Sequence, residues 1–172
     1  MAWGFFRKNS GAPERQVTLW WQDANASLLR PTVAALEDLR PRIASLDQLD
    51  ERERQEEMLH ALERLCAMTE ASALPIIATQ HRVIGSDECH FMAPVSAPDH
   101  GDASGKLFLT SHRIVFAGGA SIAWPWHRVR RVTRHDRDVV FEGGDSLTLR
   151  LRGNSYGDAA VATMVAERLC RR

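Results

Sequence analysis

A chain of 172 residues has room for one well-cored domain with an appendage and falls short of two domains of typical size. Its 44% hydrophobic and 26% charged residues fit an ordinary soluble protein, and a formal net charge of zero excludes the strongly basic profile of a dedicated nucleic-acid binder. That zero conceals a mild asymmetry: residues 1–75 hold 9 Lys or Arg against 12 Asp or Glu, a balance of −3, and residues 76–172 hold 13 against 10, a balance of +3.

Residues 1–12 form an aromatic and cationic tip, MAWGFFRK followed by Asn9, Ser10 and Gly11. Rings such as Trp3, Phe5 and Phe6 sit well at lipid headgroup level, and Arg7 and Lys8 add attraction to anionic lipid, so the tip is a candidate membrane contact. Residues 13–75 read as a helical extension. Val17, Trp20, Trp21, Ala24 and Leu28 share one helical face, and Val33, Leu36, Leu39, Ile43 and Leu46 continue a stripe that Pro31 and Pro41 interrupt. Asp50 and Glu53 have capping-box spacing ahead of a polar run, ERERQEE, and an apolar stripe of Met58, Leu62, Leu65 and Cys66. Two or three helices, arranged as an antiparallel hairpin, are expected. The adjacent Trp20 and Trp21 are candidate partner-binding anchors, and an unsatisfied stripe would let the helices self-associate.

Residues 76–153 carry short alternating runs separated by turn residues. The predicted strands are 76–84, 88–95, 106–110, 113–117, 121–124, 131–135, 139–142 and 146–152, a spacing that suggests a closed or nearly closed antiparallel barrel. The clearest stretch is 105–126, GKLFLTSHRIVFAGGASIAWPW. Leu107 and Leu109 point one way while Lys106, Phe108 and Thr110 point the other; Ile114 and Phe116 share a face opposite Arg113 and Val115, as in strands packed on a core from one side. Gly118 and Gly119 are expected to supply the positive φ of a tight reversal. A final helix over 156–171 begins with Ser155 and Asp158 at capping distance and presents Val161, Met164, Val165 and Leu169 on one face, as a plug for the barrel end.

The run Gly-Lys-Leu-Phe-Leu-Thr-Ser-x-Arg-Ile-Val-Phe, the glycine turn, the Ile-x-Trp corner, Val129 and Val132 three apart, and the final Asp-Ala helix resemble the GRAM branch of the pleckstrin-homology superfold and bacterial pleckstrin-homology-like domains, over residues 76–171. The resemblance implies an α+β fold, a seven-stranded bent antiparallel barrel capped by a C-terminal helix. It also implies a non-enzymatic module that binds membranes, lipid headgroups or proteins. Phosphoinositide-binding members carry basic residues on the first two strands and the loop between them. Here that loop, SAPDHGDAS over 96–104, holds two aspartates and no Lys or Arg, leaving Lys106 and His100 to meet a headgroup.

The densest basic run is HRVRRVTRHDR, 127–137, in which Arg128, Arg130, Arg131 and Arg134 are, with Lys106, candidate anion or lipid contacts. His81, Cys89, His90, His100 and His112 lack the paired spacing of a zinc site, so no metal is expected. Nor does the chain hold a nucleophile elbow, a phosphate loop or a dinucleotide turn, so neither catalysis nor a cofactor is expected; a pocket gathering His81, Asp87 and His90 would change that reading. Cys66, Cys89 and Cys170 lie far apart without a disulfide framework, no stretch approaches the ~20 apolar residues of a membrane span, and the N-terminus lacks the long apolar run of a secretory signal. The expectation is a cytoplasmic adaptor that binds a protein partner and no nucleic acid, with attachment to anionic lipid at the inner membrane face as the alternative.

Overall fold

A computed structural model describes residues 11–45, 48–71, 73–119, 121–144 and 147–171. Three helices come first, α1 (Gly11–Leu29), α2 (Val33–Leu39) and α3 (Leu49–Glu70), so the expected helical region is a three-helix unit rather than a plain hairpin. Pro31 ends α1, because a proline disfavours the helical conformation of the residue before it. Thr32 then caps α2, its hydroxyl accepting from the Ala35 N–H at 3.2 Å. The expected cap at Asp50 is displaced. Helix α3 starts at Leu49 with no side-chain cap bond, and Asp50 and Glu51 lie inside its first turn, where their charge suits the helix dipole.

Seven antiparallel strands follow: β1 (Cys89–Ala97), β2 (Ala103–Thr110), β3 (Arg113–Ala117), β4 (Ile122–Pro125), β5 (Val129–His135), β6 (Asp138–Gly143) and β7 (Thr148–Gly153). Helix α4 (Tyr156–Cys170) closes the chain. The strand order is β4-β3-β2-β1-β7-β6-β5, so β4 and β5, consecutive in sequence, are the two ends of the sheet. The barrel expected from strand spacing is therefore open. Between its ends sits a single helical turn, Trp126–Arg128, whose Trp126 ring is buried and donates its indole N–H to the Thr110 carbonyl at 2.7 Å.

The alternation in β2 and β3 is as expected, but both faces are covered. Leu107, Leu109, Ile114 and Phe116 join the main core, whereas Phe108 and Val115 on the reverse face pack with Ile84 and Cys89 in a second cluster. That second cover is the segment expected as a strand over 76–84. It forms an isolated bridge, Ile77 to Cys89, and a helical turn at Arg82–Ile84, held by Asp87, which accepts from Arg113 Nε at 2.9 Å and from Thr110 Oγ1 at 3.2 Å. Burial pushes the Cys89 thiol above its usual 9.0, partly offset by its own bond to the Phe91 carbonyl. Nor do Gly118 and Gly119 adopt positive φ; Gly118 is small for another reason. A Cβ there would lie 2.5 Å from the Phe116 ring, and one on Gly105 would lie 2.7 Å from it, so the two glycines form the notch that holds Phe116.

Helix α4 lies between the sheet and α3. The cap at its start is as expected, with the Asp158 N–H donating to Ser155 Oγ at 2.9 Å. Polar ties join α3 to α4: Arg64 pairs with Asp158 at 3.1 Å, the Tyr156 N–H donates to Glu57 Oε2 at 3.3 Å, and Arg168 donates to the Met68 carbonyl at 2.9 Å. Between them the helices touch closely, because a Cβ on Gly157 would lie 2.9 Å from the Glu57 carbonyl oxygen and 3.2 Å from Ala61 Cβ. Buried residues of α1 to α3, such as Trp20, Leu39, Met58 and Leu62, are continuous with Phe91, Phe141 and Leu151 of the sheet.

Candidate functional site

Two concavities open where the helical region meets the sheet. The smaller, a cleft of about 470 Å³, is lined by Trp21, Asn25, Arg54, Arg134, His135, Asp136 and Tyr156. Tyr156 is its centre. As the first residue of α4 it is fixed by the Glu57 carboxylate, and Arg54, three residues before Glu57 on α3, falls on the same helix face. The Arg54 guanidinium lies 6.0 Å from the Tyr156 ring centre, that of Arg137 lies 4.6 Å from it, and the Trp21 ring lies 5.8 Å away. Arg137 arrives through the short β5–β6 connection, in which His135 pairs with Asp138 and Asp136 takes a left-handed φ of +52°. Arg134 donates to the Asp136 carbonyl at 3.0 Å and to Asn25 Oδ1. Burial lowers the pKa of its guanidinium, an effect the Asp136 charge only partly opposes.

The larger concavity is a groove of about 870 Å³ along β5, α4 and the α1–α2 corner. Leu28, Leu29, Val132 and Met164 give it apolar surface, and Leu29 is 86% exposed. Arg30, Arg134, Arg168 and Arg171 also line it, against a single carboxylate among the described residues, Glu167, which pairs with Arg171 at 3.7 Å. Since β5 ends the sheet, its outer edge has no strand partner among the described residues.

The residues singled out in the sequence are scattered by this arrangement. Arg134 and Trp21 meet in the cleft, but Arg128, Arg130 and Arg131 lie outside it, exposed along the turn before β5 and its first residues, with Arg130 at a bulge beside Gly144. Lys106 is exposed on β2 between Pro94 and Ala117. Near the 96–104 loop, Asp99 pairs with Arg150 at 2.7 Å and Asp138 with Arg152 at 2.8 Å, so the arginines there are neutralised. Trp20 is 1% exposed and donates its indole N–H to the Leu39 carbonyl at 3.0 Å; its ring is spent inside the chain. Trp3, Phe5, Phe6, Arg7 and Lys8 lie outside the described residues. His81, Asp87 and His90 do not share a cavity: His81 stacks on Phe108, Asp87 holds Arg113, and His90 bridges the Pro75 carbonyl and Ser111 Oγ. Among the described residues no group of three or more His, Cys, Asp or Glu is placed to hold a metal, and no helix is long and apolar enough to cross a membrane.

Arg54, Tyr156 and Asn25 were not legible as site residues, and Arg137 was marked only as the last residue of the 127–137 basic run. Arg54 sits in a run that reads as a solvated face, and Arg137 in a hairpin flanked by aspartates. Their convergence depends on α3 crossing α4, which no local pattern encodes. Tyr156, the single tyrosine of the chain at the mouth of a capped helix, was the available signal.

Seven antiparallel strands bent over a C-terminal helix define an α+β protein of pleckstrin-homology-like fold. No family model and no curated protein sequence matches the chain. Similar solved structures include the C-terminal domain of an unknown protein from Leishmania infantum, at 12% identity over 49% of this chain and 87% of that one, TM-score 0.43. Another is the complex of PDZ-RhoGEF DH/PH domains with GTP-γ-S activated RhoA, at 13% identity over 88% of this chain and 54% of that one, TM-score 0.41. A third is the FERM and C-terminal domain complex of Drosophila Merlin, at 13% identity over 92% and 55%, TM-score 0.37. The chain spans about half the length of the last two. Likenesses at this level do not decide the fold, which rests on the strand order and the capping helix.

Proposed function

We propose that this chain is a non-enzymatic, GRAM-like binding module of the cytoplasm, and that the groove along β5 takes an acidic, amphipathic segment of a protein partner. The observation that carries this reading is the coincidence of an unpaired strand edge, an apolar surface and an arginine-rich lining in one groove. An extended segment would satisfy the β5 backbone, place apolar side chains against Leu29, Val132 and Met164, and set carboxylates against Arg30 and Arg168. Acidic charge introduced on the apolar surface of the groove tests it. Leu29→Glu and Met164→Glu should each reduce capture of the partner that the unaltered chain recovers from native extract by roughly tenfold, as expected for an anchor in a desolvated groove. Leu147→Glu, at an exposed site away from the groove, should leave capture intact. Capture that survives both groove variants contradicts the reading.

A second reading, attachment to anionic membrane, is favoured by Arg128, Arg130 and Arg131, which are exposed and form no ion pair among the described residues. The tip residues Trp3, Phe5 and Phe6 would add an interfacial anchor. Salt-sensitive co-sedimentation with acidic vesicles, abolished when the three arginines become glutamate, supports it; absence of co-sedimentation removes it.

A further inference from the structure

The cleft around Tyr156 has an electrostatic oddity that the groove does not explain. Arg54 and Arg134 line the cleft and Arg137 lies 4.6 Å from the Tyr156 ring centre at its margin. None of the three forms an ion pair among the described residues, although the chain otherwise pairs arginines freely, as in Arg42 with Asp23 and Asp38 and Arg113 with Asp87. The carboxylates close by are engaged differently: Glu57 accepts from the Tyr156 backbone, Glu51 from the Trp21 indole, and Asp136 approaches Arg134 chiefly through its backbone carbonyl. Arg137 Nε is buried with no hydrogen-bond partner. A buried guanidinium nitrogen left unsatisfied is costly, and like charges gathered in a recess repel unless a counter-anion sits among them. Two of the three guanidinium groups lie within cation–π distance of the Tyr156 ring, at 4.6 Å for Arg137 and 6.0 Å for Arg54, so the ring forms a floor to the cluster.

We infer that this cleft is a binding site for a dianionic phosphoryl group, clasped by Arg54, Arg134 and Arg137 on the Tyr156 platform. Planar guanidinium forks match phosphate oxygens, and several forks around one anion satisfy more acceptors than a carboxylate offers. The site uses α1, α3, the β5–β6 hairpin and α4 together, so it belongs to the junction of helices and sheet and lies apart from the neutralised 96–104 loop.

Titration with inorganic phosphate and pyrophosphate, against chloride at matched ionic strength, is followed through the arginine Nε–H and Tyr156 amide resonances. Saturable, phosphate-specific shifts are expected. Arg134→Gln and Arg54→Gln should each weaken binding roughly tenfold or more, the range for a charge-assisted hydrogen bond, while Arg128→Gln leaves it unchanged. Arg54 is exposed on α3, so its variant retains the fold if Arg134→Gln does not. The same variants, tested for co-sedimentation with phosphatidic-acid vesicles, identify the source: dependence on Arg54 makes the phosphoryl group a lipid headgroup, and indifference makes it soluble. Shifts that match those in chloride, or that persist in both cleft variants, overturn the inference.

Discussion

Gly157→Val is expected to destabilise the protein by about 2 to 3 kcal/mol, the upper range for overpacking a tight contact. The new Cβ would lie 2.9 Å from the Glu57 carbonyl oxygen and 3.2 Å from Ala61 Cβ, and both belong to the helix that α4 crosses, so neither can swing away as a side-chain tip could. Helix propensity favours replacing a glycine by ~1 kcal/mol at most, and less for a β-branched residue, so the clash wins. Urea denaturation measures the loss. Because Tyr156 precedes the altered residue and is tied to Glu57, the same substitution should also disturb the arginine cleft. An unchanged urea midpoint would mean that α3 does not pack on α4 as described.

Phe116→Ala should cost about 3 to 5 kcal/mol, since the ring is fully buried and its removal leaves a cavity between Gly105 and Gly118 that the backbone cannot fill. Thermal unfolding reads the difference directly. Gly105→Val tests the same notch from the other side: its Cβ would lie 2.4 Å from the Ala117 carbonyl oxygen, so a comparable loss is expected. Retention of stability in both variants would contradict the packing of the β2–β3 hairpin.

These two sites also mark what the sequence makes visible. The alternation of Leu107, Leu109, Ile114 and Phe116 reveals the strand pair because each side chain's face depends only on its position along the pleat. The Ser155 cap and the last seven predicted strands are visible for the same local reason. Covering of the reverse face is not, because Ile84 reaches Phe108 and Val115 from a strap that makes one isolated bridge and one helical turn, and an apolar run of that length reads as a strand. Openness of the barrel is equally hidden: it depends on β4 and β5, consecutive in sequence, not pairing with each other, a relation that strand spacing does not carry. At the candidate site, arginine density pointed to 127–137, yet only Arg134 of the four arginines named there enters the cleft. Exposed Arg128, Arg130 and Arg131 share its chemistry, and what separates them is the approach of α1 and α3.

Both proposed sites require the helical region and the sheet to act as one body, joined through α3 on α4. Native-state hydrogen exchange tests this most directly, because it reports the free energy at which each segment opens. Interior α3 amides around Met58 to Leu65 are expected to exchange with the same opening free energy as those of β6 and β7, and Gly157→Val is expected to lower both together. Early, independent exchange of α3, with sheet protection untouched by that substitution, would contradict it.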